Sequence, residues 1–165
     1  MAGYYYLGAQ LPLLSFDREP GISPESFREE AGKWLQGPDR AALAAAALGQ
    51  TAADGALPRV LQACREFEHN LRSDLAAWRR SVRTGQDYKP VHFPVALVKE
   101  SDPLEAERKL LRLRWDFFAE LEVGHFFDSE FILLYYLKLQ VLHRLFLFHK
   151  EKGLKVFNQL CEVSV

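Results

Sequence analysis

FILLYYLKLQVLHRLFLF, running from Phe131 to Phe148, decides the fold of this chain. Fourteen of its eighteen residues are apolar, and only Lys138, Gln140, His143 and Arg144 interrupt them. A segment this apolar must be hidden from water on nearly every side. A membrane-spanning helix needs roughly 20 apolar residues without central charge, whereas Lys138 and Arg144 fall well inside this run. Projected at about 100° per residue, Gln140, His143, Arg144 and Glu151 gather on one narrow strip, with Glu130 at its margin. The pattern predicts a central core helix with one wet edge and no membrane span.

Lys138 stands nearly opposite that strip, among Leu134, Tyr135, Val141, Leu142 and Leu145. Two readings are open for it. Its stem packs while the ammonium snorkels to a rim, or it forms a buried interhelical ion pair with Glu120, Glu122 or another carboxylate. The second follows from the cost of an unpaired buried ammonium.

The chain has 165 residues, enough for one domain with a real core. Hydrophobic residues make up 48% and aromatic residues 13%, which excludes a disordered chain. The net charge of −1 gives no argument for nucleic acid or an acidic substrate. Arg79, Arg80 and Arg83 form the one basic cluster; a helix C-terminus favours such cations, and a phosphate site is the alternative. Cys64 and Cys161 are too few and too far apart for a disulfide scaffold. MAGYYYLGAQLPLL lacks the basic start and long apolar core of a signal peptide, so the expected location is cytoplasmic, or peripheral to a membrane through a complex.

Residues 1–22 read as an extended, irregular arm: Tyr4-Tyr5-Tyr6-Leu7 favours a strand, and Pro12, Pro20 and Gly21 forbid a long element. Residues 23–85 read as helices. Ser23-Pro24-Glu25 is a helix start, followed by a helix to about Gln36 with Phe27, Ala31, Trp34 and Leu35 on its apolar face. Asp39 to Leu48 is an alanine-rich helix, and Gly49 and Gly55 frame a loop. Leu57, Leu61, Cys64, Phe67, Leu71, Leu75, Trp78 and Val82 then recur at steps of three and four, which predicts a long amphipathic helix closed by Gly85.

Residues 86–101 read as an extended linker whose VALV segment makes a short strand or lines the core. Residues 102–165 read as a helical hairpin with a short tail helix. Ser101-Asp102-Pro103 starts its first arm, Gly124 ends that arm, and Asp128 caps the second. Gly153 breaks or bends the second arm before a tail bearing Leu154, Val156, Phe157, Leu160 and Val163. The expected architecture is a single all-α domain, a bundle of about five or six helices with an irregular N-terminal arm.

Tests for chemistry return little. No glycine-rich phosphate loop, paired-cysteine motif or hydrolase signature is present. Glu-x-x-His, the spacing of di-iron helical bundles, occurs at Glu66/His69 and Glu122/His125. His69 points away from the seam of Phe67 and Leu71, and the second pair straddles a helix end. Cys64, conceivable as a nucleophile with His69 or His143, lies on the apolar seam, where thiols are inert. The expectation is a protein with no enzymatic activity, metal or cofactor. Tyr4, Tyr5, Tyr6 and Trp34 are the candidate partner-binding residues, since amphipathic aromatics anchor interfaces; covering this domain's own core is the competing role.

Two segments carry a family likeness. YYYLGAQLPLLSFD followed by PGISPESF, and FDSEFILLYYLKLQVLHRLFLFHKEKGLKVFNQL near the other end, resemble a bacterial family of uncharacterised proteins encoded among V-type ATPase genes. That family is distantly similar to the C-subunit of A/V-type ATPases, which joins the rotary shaft to the membrane rotor ring. The likeness covers about 60 residues, and the chain is much shorter than a full-length C-subunit. It implies a non-catalytic subunit or assembly partner of a V-type ATPase, acting as a helical stalk or adaptor that contacts shaft or rotor subunits. The alternative is a free-standing helical module that is regulatory or binds a small ligand, its signature an apolar pocket in which Lys138 grips an acidic ligand.

Overall fold

The computed structural model describes residues 2–51, 57–99, 102–148 and 150–162. Gly55, Ser101 and Val163 lie outside the described residues, as do the side chains of Glu151, Phe157 and Leu160. Among the described residues the chain is all helical: α1 (Ala2–Gln10), α2 (Pro24–Trp34), α3 (Gly37–Ala45), α4 (Arg59–Thr84), α5 (Val95–Val98), α6 (Pro103–Leu121), α7 (Ser129–Leu147) and α8 (Lys150–Glu162).

α2, α6 and α7 begin where the sequence provides a side-chain partner for orphan amide groups. Ser23 Oγ accepts from the Ser26 amide at 3.1 Å, Asp102 from Leu104 at 2.9 Å, and Asp128 from Phe131 at 2.7 Å. Pro24 and Pro103 occupy the first turn, where a missing N–H costs nothing. The 26-residue α4 ends at Gly85, whose φ of +68° places it in the left-handed cap conformation that glycine adopts without strain.

α7 is the axis of the molecule, packed against α1, α2, α3, α4 and α6. All residues from Ile132 to Leu139 are buried, as are Val141 and Leu142, so the helix is enclosed on nearly all sides. A second, smaller apolar cluster joins Leu71, Leu75 and Phe93 to Phe67, Trp78, Val98, Leu110 and Leu113. The far half of α4 therefore packs on α5 and α6.

Four expectations need correction. Tyr4–Leu7 is helical, because Leu7 at 0% exposure is drawn into the core and tertiary burial overrides local strand preference. Irregular chain begins only after Gln10, where Pro12 disfavours helix in the preceding residue. VALV makes no strand but the single helical turn α5 within the stretch expected to be extended; it does line the core, burying Leu97 and packing Val98 against the smaller cluster. These two helices bring the described total to eight rather than five or six.

The third correction concerns the break after α7, which falls at Phe148 and leaves Gly153 inside α8. Phe148 leaves the helix to pack against the main core. The fourth concerns Gln140. His143 and Arg144 are exposed as expected, but Gln140 faces the end of α3. It accepts from the Leu48 amide at 2.9 Å and donates to the Ala46 carbonyl at 3.1 Å, satisfying backbone groups beyond the last turn of α3.

Candidate functional site: an aromatic face and an adjoining cleft

Three of the four aromatic candidates converge on one surface. Tyr5, Tyr6 and Trp34 are 58%, 55% and 39% exposed. Tyr6 stacks on Trp34 with centroids 6.0 Å apart, and Tyr5 meets Tyr6 edge-on at 6.2 Å. Tyr5 also contacts Phe127 at 5.1 Å, and Phe127 contacts Phe131 at 6.3 Å. The result is a continuous run of rings across α1, the end of α2 and the α6–α7 turn. Phe126 and Val123, on the same turn, are more exposed still.

Tyr4 departs from the group. It is half-buried, and its hydroxyl donates to Asp39 on α3. That hydrogen bond, with burial, pushes the phenol up to about 12, so it remains a neutral donor. Tyr4 is a tie between helices, and the free aromatic surface starts at Tyr5.

The α6–α7 turn that presents Phe126 and Phe127 is pinned on both sides. Glu122 caps α6 and pairs with Lys138 on α7. His125 lies between Asp128, 2.8 Å from Nδ1, and Glu130, 3.2 Å from Nε2. Phe127 has a φ of +54°, alone among described non-glycine residues in the left-handed region. For a bulky aromatic residue that conformation is strained. Gly8 makes room for the ring: a Cβ there would lie 2.6 Å from Phe127 Cδ1.

Behind Phe127 opens a cleft of about 280 Å³. Leu11, Leu14, Phe127, Phe131 and Tyr135 wall it, and Lys138 and Glu122 supply its polar groups. The Tyr135 hydroxyl donates to the Pro12 carbonyl at 2.8 Å, holding the Leu11–Leu14 segment in place. Lys138 is itself buried, and its ammonium also sits 5.2 Å from the centre of the Trp115 ring. Of the two readings open for this lysine, the interhelical ion pair is the one formed, and Glu122 is its partner.

Neither Glu-x-x-His pair is arranged for a metal. His69 is exposed on α4 while Glu122 and His125 serve the separate pairs just described. Among the described residues, no group of three or more His, Cys, Asp and Glu side chains is placed to hold a metal ion. Burial pushes the Cys64 thiol up to about 12, far above the range of a reactive thiolate. Arg79, Arg80 and Arg83 are exposed on the last turns of α4. Among the described residues, no helix is long and apolar enough to cross a membrane.

Sequence reasoning missed the turn aromatics and a set of buried charges. Phe126 and Phe127 follow Gly124 in a turn, and paired aromatics in a turn are their only sequence signal. Glu68, at 3% exposure, receives both ends of the Arg114 guanidinium and also pairs with Arg72 at 2.9 Å. Burial pushes the Glu68 carboxyl up, but the hydrogen bonds and charges of Arg114 and then Arg72 outweigh it and leave the pKa low. Asp74, equally buried, accepts from the Tyr88 hydroxyl and from the amides of Val91 and His92, both at 2.7 Å.

The architecture is thus an all-α domain that leaves an aromatic face uncovered among the described residues. The model of a family described as a protein of unknown function (DUF2764) matches residues 94–163. The matched stretch contributes Phe127 and Lys138, while Tyr5, Tyr6 and Trp34 precede it. Comparison with curated proteins yields no match, and comparison with solved structures yields none either.

Proposed function

We propose that this chain is a non-catalytic subunit or assembly partner of a bacterial V-type ATPase, working on the cytoplasmic side of the membrane by protein–protein contact. The observation that carries the contact is the exposed aromatic run of Tyr5, Tyr6, Trp34 and Phe127. Large amphipathic rings fixed on rigid helices lose little side-chain entropy on docking and dominate interface energetics. The strained backbone of Phe127 supports the same reading, since such strain persists where a presented side chain has a use.

The address within a V-type ATPase is supported by the resemblance of both chain ends to proteins encoded among its genes. The occupant proposed for the aromatic face is a shaft or rotor subunit. A pulldown from native membranes with the tagged chain is expected to recover those subunits. Recovery of an intact, active ATPase from cells lacking the chain, together with no association in the pulldown, would exclude the proposal.

A further inference from the structure

We propose that the cleft behind Phe127 is a binding site for a medium-chain monocarboxylate, with its apolar tail against the walls and its carboxylate on Lys138. The site and the aromatic face share Phe127, but binding in the cleft requires no partner protein.

The chemistry follows from what lines the cavity. Leu11, Leu14, Phe127, Phe131 and Tyr135 offer apolar and aromatic surface on several sides. Lys138, at the polar end, is buried. An ammonium carries three N–H donors, and among the described residues its hydrogen-bond acceptor is Glu122. The Trp115 ring covers another side of the charge without accepting a conventional hydrogen bond. Donor capacity therefore remains at a lysine that also borders the cleft.

Glu122 is a yielding partner. It lies at the C-cap of α6, at the start of the turn, with a side chain one-quarter exposed. A ligand carboxylate joins it on the ammonium or replaces it as Glu122 turns to solvent. A neutral apolar ligand gains no such interaction, so the site discriminates by head group. The cleft's 280 Å³ falls just below the range of drug-sized ligand pockets, about 300 to 1,000 Å³, and this restricts the tail to medium length.

The mouth is built, not incidental. Phe127 holds its ring there from a left-handed backbone conformation, and the absence of a side chain at Gly8 makes the ring position accessible. Tyr135 fixes the opposite lip through the Pro12 carbonyl.

The test is an amide NMR titration of the full chain with hexanoate, octanoate and, as the uncharged control, 1-octanol. Saturable shifts are expected at Gly8, Leu11, Leu14, Phe127 and Tyr135. Octanoate should bind roughly fifteenfold tighter than hexanoate, since each of its two further methylenes contributes about 0.8 kcal/mol when buried, or about fourfold. 1-Octanol should bind at least tenfold more weakly than octanoate. Lys138→Met should abolish the preference for the carboxylate. Because that substitution strands Glu122, Leu14→Trp is the second variant: it fills the cleft, leaves the ion pair intact and should abolish octanoate binding. Absence of saturable shifts at these positions, equal affinity for 1-octanol, or unchanged octanoate binding in Leu14→Trp would overturn the assignment.

Discussion

Arg114 on α6 grips Glu68 on α4 with two parallel contacts, Nε to Oε2 at 2.9 Å and Nη2 to Oε1 at 2.8 Å. The pair ties the two helices together at a site where both side chains are largely removed from water, 13% and 5% exposed. Its geometry is the bidentate arrangement that a guanidinium makes and an ammonium does not. Removing one partner from such a pair is expected to cost about 3 kcal/mol, because a buried charge is left behind. Arg114→Ala should therefore lower the urea unfolding midpoint strongly, with Arg72 limiting the loss. Glu68→Leu with Arg114→Met should recover much of it, since an apolar replacement strands no charge. A double variant no more stable than Arg114→Ala would contradict this account.

The carboxylates of Glu68 and Asp74 both titrate below their ordinary values. At Asp74, burial pushes the carboxyl up, and the Tyr88 hydroxyl and the amides of His92 and Val91 more than reverse it. The folded chain then binds fewer protons at these sites than the unfolded chain, so stability rises with pH through the carboxylate range. Their contribution should be fully present above the ordinary carboxylate pKa of about 4 and disappear as pH falls through the lower folded values. Asp74→Asn should flatten that part of the curve and speed hydrogen exchange at the Val91 and His92 amides. A pH profile unchanged by the substitution would count against the Asp74 hub.

Gly8 and Phe127 predict a reversal of sign. Alanine is normally preferred to glycine in a helix by about 1 kcal/mol, yet a Cβ at position 8 meets the Phe127 ring at 2.6 Å. Overpacking of this kind costs about 1–3 kcal/mol, so Gly8→Ala should be neutral to destabilising. In a Phe127→Gly background the same change should stabilise by about 1 kcal/mol. Phe127→Gly alone should stay within about 1 kcal/mol of the native chain, because relief of left-handed strain offsets the lost ring contacts. A double-mutant cycle on thermal unfolding measures the coupling, and additive effects would refute it.

Gln140 supplies a simpler test of packing. Gln140→Leu leaves the Leu48 amide and Ala46 carbonyl without their partner, and each stranded backbone group costs about 1–3 kcal/mol. The expected outcome is a clear loss of stability by chemical denaturation, whereas a surface glutamine would leave the midpoint unchanged.

The fate of individual residues shows which parts of the structure could be read from the sequence. The cores of α4, α6 and α7 follow from apolar spacing, and Ser23, Asp102 and Asp128 cap their helices because capping is local chemistry. α1 was illegible because its determinant is distant: Leu7 enters a core formed by residues far along the chain. Gln140 looked wet for the same reason, as its partners lie more than 90 positions away. Glu68 and Asp74 occupy the flank of the α4 seam, where a charge reads as solvated until Arg114 or Tyr88 is brought over it. Residue type singles out Tyr4, Tyr5, Tyr6 and Trp34 as candidates without deciding between interface and core, and the exposure of Tyr5, Tyr6 and Trp34 emerges only in the fold. Residue type could not separate Tyr4, whose role depends on Asp39, or find Phe126 and Phe127 on a turn whose neighbours are set by the packing of α1 on α7.

The central proposal is that this chain docks on a V-type ATPase through the rings of α1, α2 and the α6–α7 turn. Its most direct test is quantitative co-purification of tagged wild-type chain and a Tyr5→Ser, Tyr6→Ser, Trp34→Ser variant with shaft and rotor subunits. All three side chains are exposed, so the variant should fold, which circular dichroism verifies. The account predicts that wild type recovers those subunits and that the variant recovers at most one-tenth as much, in line with the loss of two or more interface hot spots. Equal recovery by a folded variant, or no recovery by wild type, would contradict it.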